Sequence, residues 1–333
     1  MQALRDIKRQ DQLAALSDEH RLALLRRLMC GPSTISRLGR DFGRHPAWIR
    51  HHLKRLEAVG LVESAGQVTT RNYTEKFYRA VADAFAVHLL VAPDGGDRQI
   101  TMALGSDDFA LQLLTKELNE GPSTFEIAAS SVGSLDGLIA LRQGLADVAG
   151  CHLLDPDTDE YNFPYLRHLF PDRPVDVITL AYREQGLLRR PGAQPKVTDI
   201  AELAGSTIRF ANRNAGSGTR VWLDARLREC GVPHNEILGY DEELRTHADV
   251  AVAVASGAAD VGLAVRAVAE QYELEFTPLF TERYDLVIDA SRADEESFVR
   301  IRDHLDTRRF RRGVGQLIGY DAGHTGEGTR LAV

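Results

Sequence analysis

Short runs of glycine and hydroxyl residues recur in the C-terminal two thirds of the chain, each between an apolar run and an amphipathic stretch. They are Gly105-Ser106, Ser130-Ser131-Val132-Gly133-Ser134 and Gly216-Ser217-Gly218-Thr219-Arg220, and Thr246-His247 opens a further amphipathic stretch. At a strand-to-helix junction such turns expose backbone N–H groups at the positive end of a helix. Taken singly, a turn of this kind is more often a helix cap than a ligand contact. Several that meet in one cleft predict a binding site for a small oxyanion.

Groups suited to catalysis are sparse. The sequence has no G-x-S-x-G, Walker or H-E-x-x-H motif and no Cys/His spacing typical of a metal site. His152 with Asp155 or Tyr161 would make an acid/base pair, but nothing in the sequence activates a nucleophile. We therefore expect no catalytic residues, no metal ligands and no cofactor. An enzyme that acts on a small ligand in the same cleft stays open as an alternative.

The cysteines and the apolar segments indicate the cellular compartment of the protein. Cys30, Cys151 and Cys230 are far apart and odd in number, which is typical of reduced thiols. The chain starts with charged residues from Arg5 onward, without the apolar segment of a secretory signal, and no run is long enough to span a membrane. We expect a cytoplasmic protein with no membrane association, which argues against a transport binding protein.

Charge is divided unevenly along the chain. Residues 1–80 carry 15 Lys and Arg against 8 Asp and Glu, a net charge of +7. Residues 81–333 carry 25 against 40, a net charge of −15. Such asymmetry indicates that the basic part meets a polyanion, and double-stranded DNA is the simplest candidate.

Apolar spacing in the basic part predicts three helices and a hairpin. The first helix runs from Leu13 and ends at Gly31-Pro32, and the second, capped by Ser33 or Thr34, ends at Gly43. The third runs from Pro46 to Ala58. The inward positions of the three helices are Leu16, Leu22, Leu25, Leu28, Met29, Ile35, Leu38, Phe42, Ile49, Leu53, Leu56 and Val59. A hairpin then turns at Ala65-Gly66-Gln67, and residues 80–90 form either a helix at a dimer interface or a simple connecting helix.

The outer face of the third helix is basic, as in a helix-turn-helix whose second helix enters the major groove. A solvated face would look similar, but helix order, turn, hairpin and charge all agree with DNA binding. Trp48 is predicted to pack rather than to read bases. Which contacts are to bases and which to phosphates stays open. The candidate DNA contacts are Ser33, Arg44, His45, Arg50, His51, Lys54, Arg55, Arg71 and Lys76.

Residues 10–85 resemble the ArsR-type winged-helix regulators. The resemblance lies in LSDEHRLALLRRL, HPAWIRHHLKRLEAVGLVE and EKFYRAVA. It implies a homodimer on a palindromic operator. The Cys pair of the metal-sensing members is missing from the second helix, so metal sensing is not expected.

The rest of the chain is predicted to be a separate α/β domain. Residues 88–98 turn to Pro and Gly, and apolar runs then alternate with amphipathic stretches, which indicates parallel sheets. The predicted organisation is a mostly α winged helix at 1–88, a linker at 89–98 and an α/β ligand-binding domain at 99–333. Ligands of such sheets lie at the carboxyl ends of the strands.

This second part resembles the periplasmic-binding-protein-like type II domains of molybdate and tungstate sensing and uptake proteins. The matching stretches include AGCHLLDPDTDEYNFPYLRHLFP, IRFANRNAGSGTRVWLDARL, LGYDEELRTHADVAVAVASGAADVGLAV and LFTERYDLVI. The resemblance implies two lobes that close on a ligand, lobe one at 99–180 and 285–333 and lobe two at 181–284. The hinge would lie at 180–184 and 282–286.

Ligand contacts follow from the resemblance and from the Gly/Ser turns. They are Ser106, Ser131, Ser134, His152, Arg183, Ser217, Gly218, Thr219, Arg220, Thr246 and Tyr284. Arg220 either neutralises an anion or pairs with nearby carboxylates, and His152 is alternatively a core residue. Asp107 and Asp108 stand where uptake proteins have Thr and Ser, and they would repel an anion if they faced the cleft. The implied effector is molybdate or tungstate, with a small organic acid or sulfonate as the alternative.

Overall fold

The computed structural model describes residues 2–7, 9–69, 74–87, 99–121 and 124–332. Contacts divide the chain into two compact units, Met1–Val91 and Ala92–Val333. The predicted linker lies outside the described residues. No helix in the described ranges combines the length and the apolar character needed to cross a membrane.

The N-terminal unit combines four helices with five strands in its described part. They are β1 (Gln2–Ile7), α1 (Gln10–Leu16), α2 (Glu19–Met29), β2 (Ser33–Thr34), α3 (Ile35–Asp41), α4 (Pro46–Ala58), β3 (Val62–Thr69), β4 (Thr74–Ala80) and β5 (Ala82–Val87). The core contains Leu24, Leu28, Leu38, Ile49, Leu53 and Leu56. The inward face predicted for the third helix is therefore confirmed.

The single first helix predicted from Leu13 is wrong, because two helices meet at Ser17. The side chain of Asp18 accepts hydrogen bonds from the backbone N–H groups of His20 and Arg21 and so starts α2. An N-terminal cap of this kind satisfies amides that a continuous helix would bond internally. Helix α3 begins after Thr34, whose side chain accepts from the N–H of Arg37.

The hairpin is present, but its predicted turn is wrong. Strand β3 continues through Ala65 and Gly66 and pairs antiparallel with β4 up to Thr69 and Thr74. The register shifts between Ser64 and Gly66, where Gly66 has a φ of +129°. A glycine marks a β-bulge as readily as a turn, which explains the error.

The helix predicted at 80–90 is also wrong over the described residues. Residues Ala82–Val87 form β5, which pairs in parallel with β1. The run is rich in alanine, but strand pairing with residues 80 positions earlier outweighs helix propensity.

The second unit is built from one large mixed sheet with helices on its faces. Its first half contains β6 (Gln99–Gly105), α5 (Phe109–Asn119), β7 (Phe125–Ser131), α6 (Ser134–Gln143), β8 (Val148–Cys151), β9 (Leu154–Asp155), β10 (Glu160–Tyr161), α7 (Phe163–Leu169) and β11 (Val175–Arg189). Its second half contains β12 (Phe210–Arg213), α8 (Gly218–Glu229), β13 (Glu243–Leu244), α9 (His247–Ser256), β14 (Val261–Val265), α10 (Arg266–Gln271), β15 (Glu275–Asp289), α11 (Glu296–Leu305), α12 (Arg308–Gly315), β16 (Tyr320–Asp321) and β17 (Gly328–Leu331).

The strand order β13-β12-β14-β11-β15-β8-β6-β7 has two long strands at its centre. Strands β6, β7 and β8 pair in parallel, and so do β12, β13 and β14, as predicted. Strands β11 and β15, in contrast, pair antiparallel with each other and with their neighbours, which the alternation of strands and helices did not predict. Each of these strands has 15 residues, which at the usual rise is about 50 Å.

The two long strands connect two separate groups of elements. Strands β6–β8 pack with α5 and α6 at one end, and β12–β14 pack with α8 and α9 at the other. Helices α11 and α12 return to pack on α5 through Phe298 and Phe310. At the crossing, Arg183 is opposite Glu282 and Ala181 is opposite Tyr284, so the predicted hinge segments lie side by side.

Gly150 keeps the crossing tightly packed, which yields a stability prediction. A Cβ atom on Gly150 would lie 2.1 Å from the hydroxyl oxygen of Tyr284, which is fully buried. We expect Gly150→Ala to lower the free energy of unfolding by about 2 kcal/mol, the usual cost of overpacking. Urea titration followed by circular dichroism measures this.

Gly315→Ala is the matched control, since a Cβ there meets nothing within 4 Å at the end of α12. The free energy of unfolding of this variant should equal that of the wild type or be slightly higher. Equal effects of the two substitutions would contradict the packing role of Gly150.

Candidate functional site

Helix α4 presents the basic face that the sequence predicts. Arg50, His51, Lys54 and Arg55 are all exposed, on the side opposite the buried apolar residues. Proline stands at the first helical position, and the Nδ1 atom of His45 accepts a hydrogen bond from the N–H of Ala47. The cap and the proline fix where this helix starts.

The other candidate DNA contacts have different surroundings. Ser33 as a DNA contact is wrong, because it is fully buried in β2 opposite Tyr78. Arg44 and His45 are exposed before α4. Lys76 is half exposed, with its Nζ 3.3 Å from a carboxylate oxygen of Glu57. Arg71 lies outside the described residues.

An aromatic cluster holds α4 against α2. The ring centroid of Trp48 lies 4.2 Å from that of His52 and 5.1 Å from that of His20. Trp48 also packs on the apolar core, so its predicted packing role is confirmed. Burial lowers the pKa of His52, which belongs to the helix interface and not to the basic face.

In the second unit the two lobes touch at their glycine turns. The backbone N–H of Leu135 donates to the carbonyl of Gly216 at 3.2 Å. A Cβ on Gly218 would lie 2.2 Å from the carbonyl oxygen of His152, so only glycine fits at this contact. Beside it opens a cleft of about 390 Å³, lined by Ser131, Val132, Asp136, Asn214, Ala215, Glu243 and Arg245.

The Glu282 carboxylate is the centre of a buried network at the crossing of the two long strands, formed by residues that do not line this cleft. One oxygen accepts from Arg183 Nε and from Gln185 Nε2, each at 2.6 Å, and the other lies 2.8 Å from His152 Nδ1. Burial would raise the pKa of the Glu282 carboxyl, but contact with His152 and ion pairing with Arg183 lower it to about 2. Glu282 is therefore a carboxylate at neutral pH.

Arg183 also binds the first strand-to-helix turn of lobe one. Its Nη1 donates to a carboxylate oxygen of Asp108 at 2.6 Å and to the carbonyl of Asp107 at 3.2 Å. Asp108 in turn accepts from the backbone N–H of Leu111 and from the hydroxyl of Tyr320. Of the two carboxylates that depart from the uptake-protein pattern, Asp108 is thus paired with Arg183, whereas Asp107 accepts a hydrogen bond from Gln112 Nε2 and burial raises the pKa of its carboxyl.

Arg213 is a second buried arginine, and the sequence reasoning missed it. Its Nη2 donates to the carbonyl of Arg245 at 2.8 Å, and within the described ranges no carboxylate forms an ion pair with it. Burial lowers its pKa to about 10, although Asp107 opposes this effect. Arg213 therefore stays charged at neutral pH. The signal was its place at the end of an apolar run, directly before the Gly216–Arg220 turn.

His247 is the other group that the candidate residues omitted, although it adjoins Thr246. It is fully buried at the start of α9, and neither ring nitrogen has a hydrogen-bond partner in the described part of the chain. Burial lowers its pKa well below the ordinary value, and Arg213, Arg183 and His152 add to that effect. These three groups therefore lie near His247, which is neutral.

Further polar atoms in this region lack partners. Among the described residues, these are His152 Nε2, Arg183 Nη2, Gln185 Oε1, Arg213 Nε and Nη1, both ring nitrogens of His247 and, at the cleft, Ser131 Oγ and Asn214 Oδ1. They come from both lobes. Buried polar groups in native proteins are nearly always hydrogen-bonded, so their concentration here indicates a ligand site.

Several predicted ligand contacts instead hold the site together. The hydroxyls of Ser106 and Ser134 are 3.0 Å apart, and Ser134 accepts from the N–H of His152. Ser217 caps α8, Thr219 accepts from Gln185 Nε2, and Thr246 forms a capping box with Asp249. The Tyr284 hydroxyl donates to the carbonyl of Ser106 at 2.6 Å.

Arg220 pairs with nearby carboxylates, which is the second of the two roles predicted for it. Its Nε donates to a carboxylate oxygen of Asp224 at 2.9 Å, and its guanidinium lies 3.9 Å above the ring of Tyr240. A second carboxylate oxygen, on Glu243, is 3.7 Å away. Its charge is offset by these carboxylates, so Arg213 is the better anion-binding candidate.

The acid/base pairing suggested by the sequence does not form. Asp155 accepts hydrogen bonds from the N–H groups of Asp157 and Thr158, while His152 binds Glu282. Burial raises the pKa of Tyr161. No group of three or more His, Cys, Asp or Glu side chains within the described ranges is arranged to hold a metal ion.

Two lobes on paired long strands, with unpaired buried polar groups from both, define a two-lobed ligand-binding protein. The PBP superfamily domain family matches residues 115–305, more than half of the chain, and the chain belongs to that family. The description "Bacterial regulatory protein, arsR family" matches residues 18–64. Both resemblances inferred from sequence are confirmed. A winged helix of this type joined to such a domain supports a ligand-responsive transcription regulator.

The chain is also similar to two relatives and to a solved structure. The protein YvgK of Bacillus subtilis (strain 168) is 29% identical over 235 residues, which cover 71% of this chain and 74% of YvgK. A protein encoded in the 5′ region of a ferredoxin 2Fe-2S gene of Clostridium pasteurianum is 32% identical over 108 residues, 32% of this chain and 96% of the relative. A phosphate ABC transporter substrate-binding protein from Clostridium perfringens, solved with bound phosphate, has a TM-score of 0.52 at 13% identity and covers 67% of this chain and 99% of its own. That structure shows the fold alone.

The neutral buried histidines predict how stability depends on pH. Their pKa values in the folded state lie below the ordinary value of 6.5, so below about pH 6.5 the unfolded chain binds more protons. Stability should therefore be fully present at pH 7.5 and fall by about 1.4 kcal/mol per pH unit for each histidine on acidification. His247→Asn should make this slope smaller in the second unit.

Urea unfolding between pH 7.5 and 5.5 measures the slope, followed by the fluorescence of Trp222, which stacks on Phe280. A Trp48→Phe background removes the other tryptophan. His234→Asn, at an exposed position, is the control. An unchanged slope in His247→Asn would show that His247 is not buried neutral.

Proposed function

We propose that this protein binds operator DNA as a homodimer through α4 and the β3–β4 hairpin, and that a small anion in the cleft of the second unit regulates this binding. The supporting observation is Arg213, a buried charged group without a carboxylate partner in the described part of the chain. Burying such a charge is costly unless a counter-ion joins it. An anionic ligand supplies that counter-ion.

Contacts from both lobes would couple ligand binding to lobe closure. Arg213 and His247 belong to the β12–β14 lobe, while His152 belongs to the β6–β8 lobe. A ligand that bonds to both stabilises the closed arrangement in which Gly216 meets Leu135. Allosteric coupling of this kind typically changes operator affinity by about 1–3 kcal/mol. Operator binding also implies that the protein works in the cytoplasm.

Two effector classes fit an arginine-based site. Molybdate or tungstate follows from the sequence resemblance, and a small organic acid or sulfonate is the second class. Each offers oxygen acceptors to Arg213 Nε and Nη1. The unpaired acceptor Gln185 Oε1 favours those members of the second class that also carry a hydroxyl or another hydrogen-bond donor.

Substitution of Arg213 separates the proposed site from the one centred on Arg220. The full chain is screened by thermal shift against molybdate, tungstate, sulfate, phosphate, sulfonates and carboxylates. A ligand at about 100 times its dissociation constant adds about 2.7 kcal/mol, or roughly 5–10 °C for a domain of this size. Arg213→Gln should abolish the shift, and without ligand it should melt no lower than the wild type because it loses an uncompensated buried charge.

Arg228→Gln, an exposed change on α8 in the same lobe, should keep the full response. A response that survives Arg213→Gln but disappears in Arg220→Gln would overturn the assignment. No response to any anion would count against anion sensing itself.

The exposed face of α4 gives a DNA-binding prediction. Arg50→Ala should weaken operator binding by about 1–3 kcal/mol if it reads a base, with loss of sequence preference. If Lys54 contacts phosphate, Lys54→Ala should weaken binding to all sequences. It should also reduce the slope of log affinity against log salt concentration by about one, because one counter-ion fewer is released. Fluorescence anisotropy with DNA from upstream of the gene, at several salt concentrations, measures both.

Lys196→Ala, an exposed lysine in the second unit, is the control and should leave affinity unchanged. Retention of full affinity in the double variant Arg50→Ala/Lys54→Ala would show that α4 does not enter the groove.

A further inference from the structure

We infer that the anion recognised by the unpaired buried groups between the two lobes also carries hydrogen-bond donors, as a hydroxylated organic acid or a protonated oxyanion does, and that fully deprotonated tetrahedral oxyanions are disfavoured. The inference rests on the proposed function, because it names the chemical class of the effector for the same site. The reason is that the unpaired buried atoms include hydrogen-bond acceptors as well as donors, so a ligand must supply both kinds of partner.

Gln185 provides the first acceptor, and its orientation is fixed. Its Nε2 donates to Glu282 Oε1 at 2.6 Å and to Thr219 Oγ1 at 2.9 Å. Rotating the amide by half a turn would place Oε1 against the Glu282 carboxylate, where two acceptors would repel. Gln185 Oε1 therefore stays on the other side, buried and without a partner among the described residues.

His152 provides the second acceptor. Its Nδ1 is 2.8 Å from Glu282 Oε2, so the ring proton lies on Nδ1 and points at the carboxylate. Burial lowers the pKa of His152, so the ring is neutral and Nε2 holds a lone pair. Nε2 is buried and has no partner in the described ranges.

His247 provides a third acceptor together with a donor. A neutral imidazole has one N–H and one lone pair, and both ring nitrogens of His247 are unpaired in the described structure. Of the other free groups, Arg183 Nη2 and Arg213 Nε and Nη1 are donors, Asn214 Oδ1 is an acceptor, and the Ser131 hydroxyl can act as either. The site therefore presents donors and acceptors in similar numbers.

This balance selects against an anion with acceptors alone. Such an anion would pair with the arginines, but it would leave Gln185 Oε1 and His152 Nε2 buried without donors. An unmatched buried acceptor costs as much as a typical hydrogen bond or more, and sites built for a hydroxyl strongly reject analogues that lack it. An anion with an O–H group satisfies both sets.

Matched ligand pairs test the inference on the full wild-type chain. Inorganic phosphate keeps at least one proton at neutral pH, whereas sulfate, of similar size and shape, keeps none. Glycolate and acetate form the corresponding organic pair, and molybdate and tungstate are further ligands without O–H groups. Isothermal titration calorimetry at pH 7.5 should show the O–H member of at least one pair binding about tenfold tighter or more.

The pairs also distinguish the two sources of an O–H group. A preference for phosphate alone identifies a protonated oxyanion, and a preference for glycolate alone identifies a hydroxy acid. Sulfate, molybdate or tungstate binding as tightly as every O–H ligand would overturn the inference while leaving anion sensing intact. Binding of none of these ligands would overturn both.

Substitution of Gln185 tests whether its Oε1 atom causes the preference for O–H ligands. Gln185→Met keeps the side-chain length but removes both Oε1 and the Nε2 donor to Glu282 and Thr219. Loss of the Nε2 contacts would weaken both ligands of a pair alike, whereas loss of Oε1 should weaken the O–H ligand about tenfold and its partner without O–H by less than twofold. Gln316→Met, at an exposed position of the first lobe, is the matched control. Equal weakening of both ligands would contradict the role of Gln185. The wild-type pairs remain decisive if Gln185→Met does not fold.

Discussion

The binding region of the second unit depends on one buried carboxylate. Glu282 joins the two long strands through Arg183 and Gln185, and it reaches into the neighbouring lobe through His152. A buried carboxylate is stable only when cations and hydrogen-bond donors surround it, and here three side chains do so. Each of these three side chains uses one atom to bind Glu282, and each keeps one other polar atom without a hydrogen-bond partner in the described structure. The hydrogen-bonding character of these buried groups is therefore a consequence of how the protein stabilises this charge.

Two arginines close together in sequence have opposite roles because their backbones point them to different places. Arg213 ends a buried strand, where no carboxylate of the described chain forms an ion pair with it, and its charge stays unpaired. Arg220 lies in the first turn of α8, one helical turn before Asp224, and its charge is offset locally. Spacing along a helix favours ion pairs at i and i+4, so the more obvious arginine of the turn is the less available one.

Close packing and binding are connected at the glycines. Gly218 lets one lobe approach His152 of the other, and Gly150 makes room for Tyr284 at the crossing. Tyr284 in turn bonds to the turn at Ser106 and stacks with Arg183 at 4.7 Å. Small residues at these contacts bring polar groups of both lobes into one buried region. A ligand that bonds to both lobes can therefore favour one arrangement of the long strands, which is the requirement for a switch.

The sequence alone determined the features that depend on local pattern. Helix α4, its cap and its basic face follow from 3.6-residue periodicity and from Pro46, and the Gly/Ser turns follow from the junctions that need them. Tertiary structure decided what depends on distant partners. Strand β5 replaced a predicted helix because it pairs with β1, and Ser33 became buried where β2 pairs with β4. Arg213 and His247 became candidate site residues because folding brought them near His152 and Arg183. The periodicity of a segment shows which of its faces is buried, but it does not show which residues of other segments pack against that face. The charge and the hydrogen bonds of a buried group depend on these residues, so the sequence alone could not determine them.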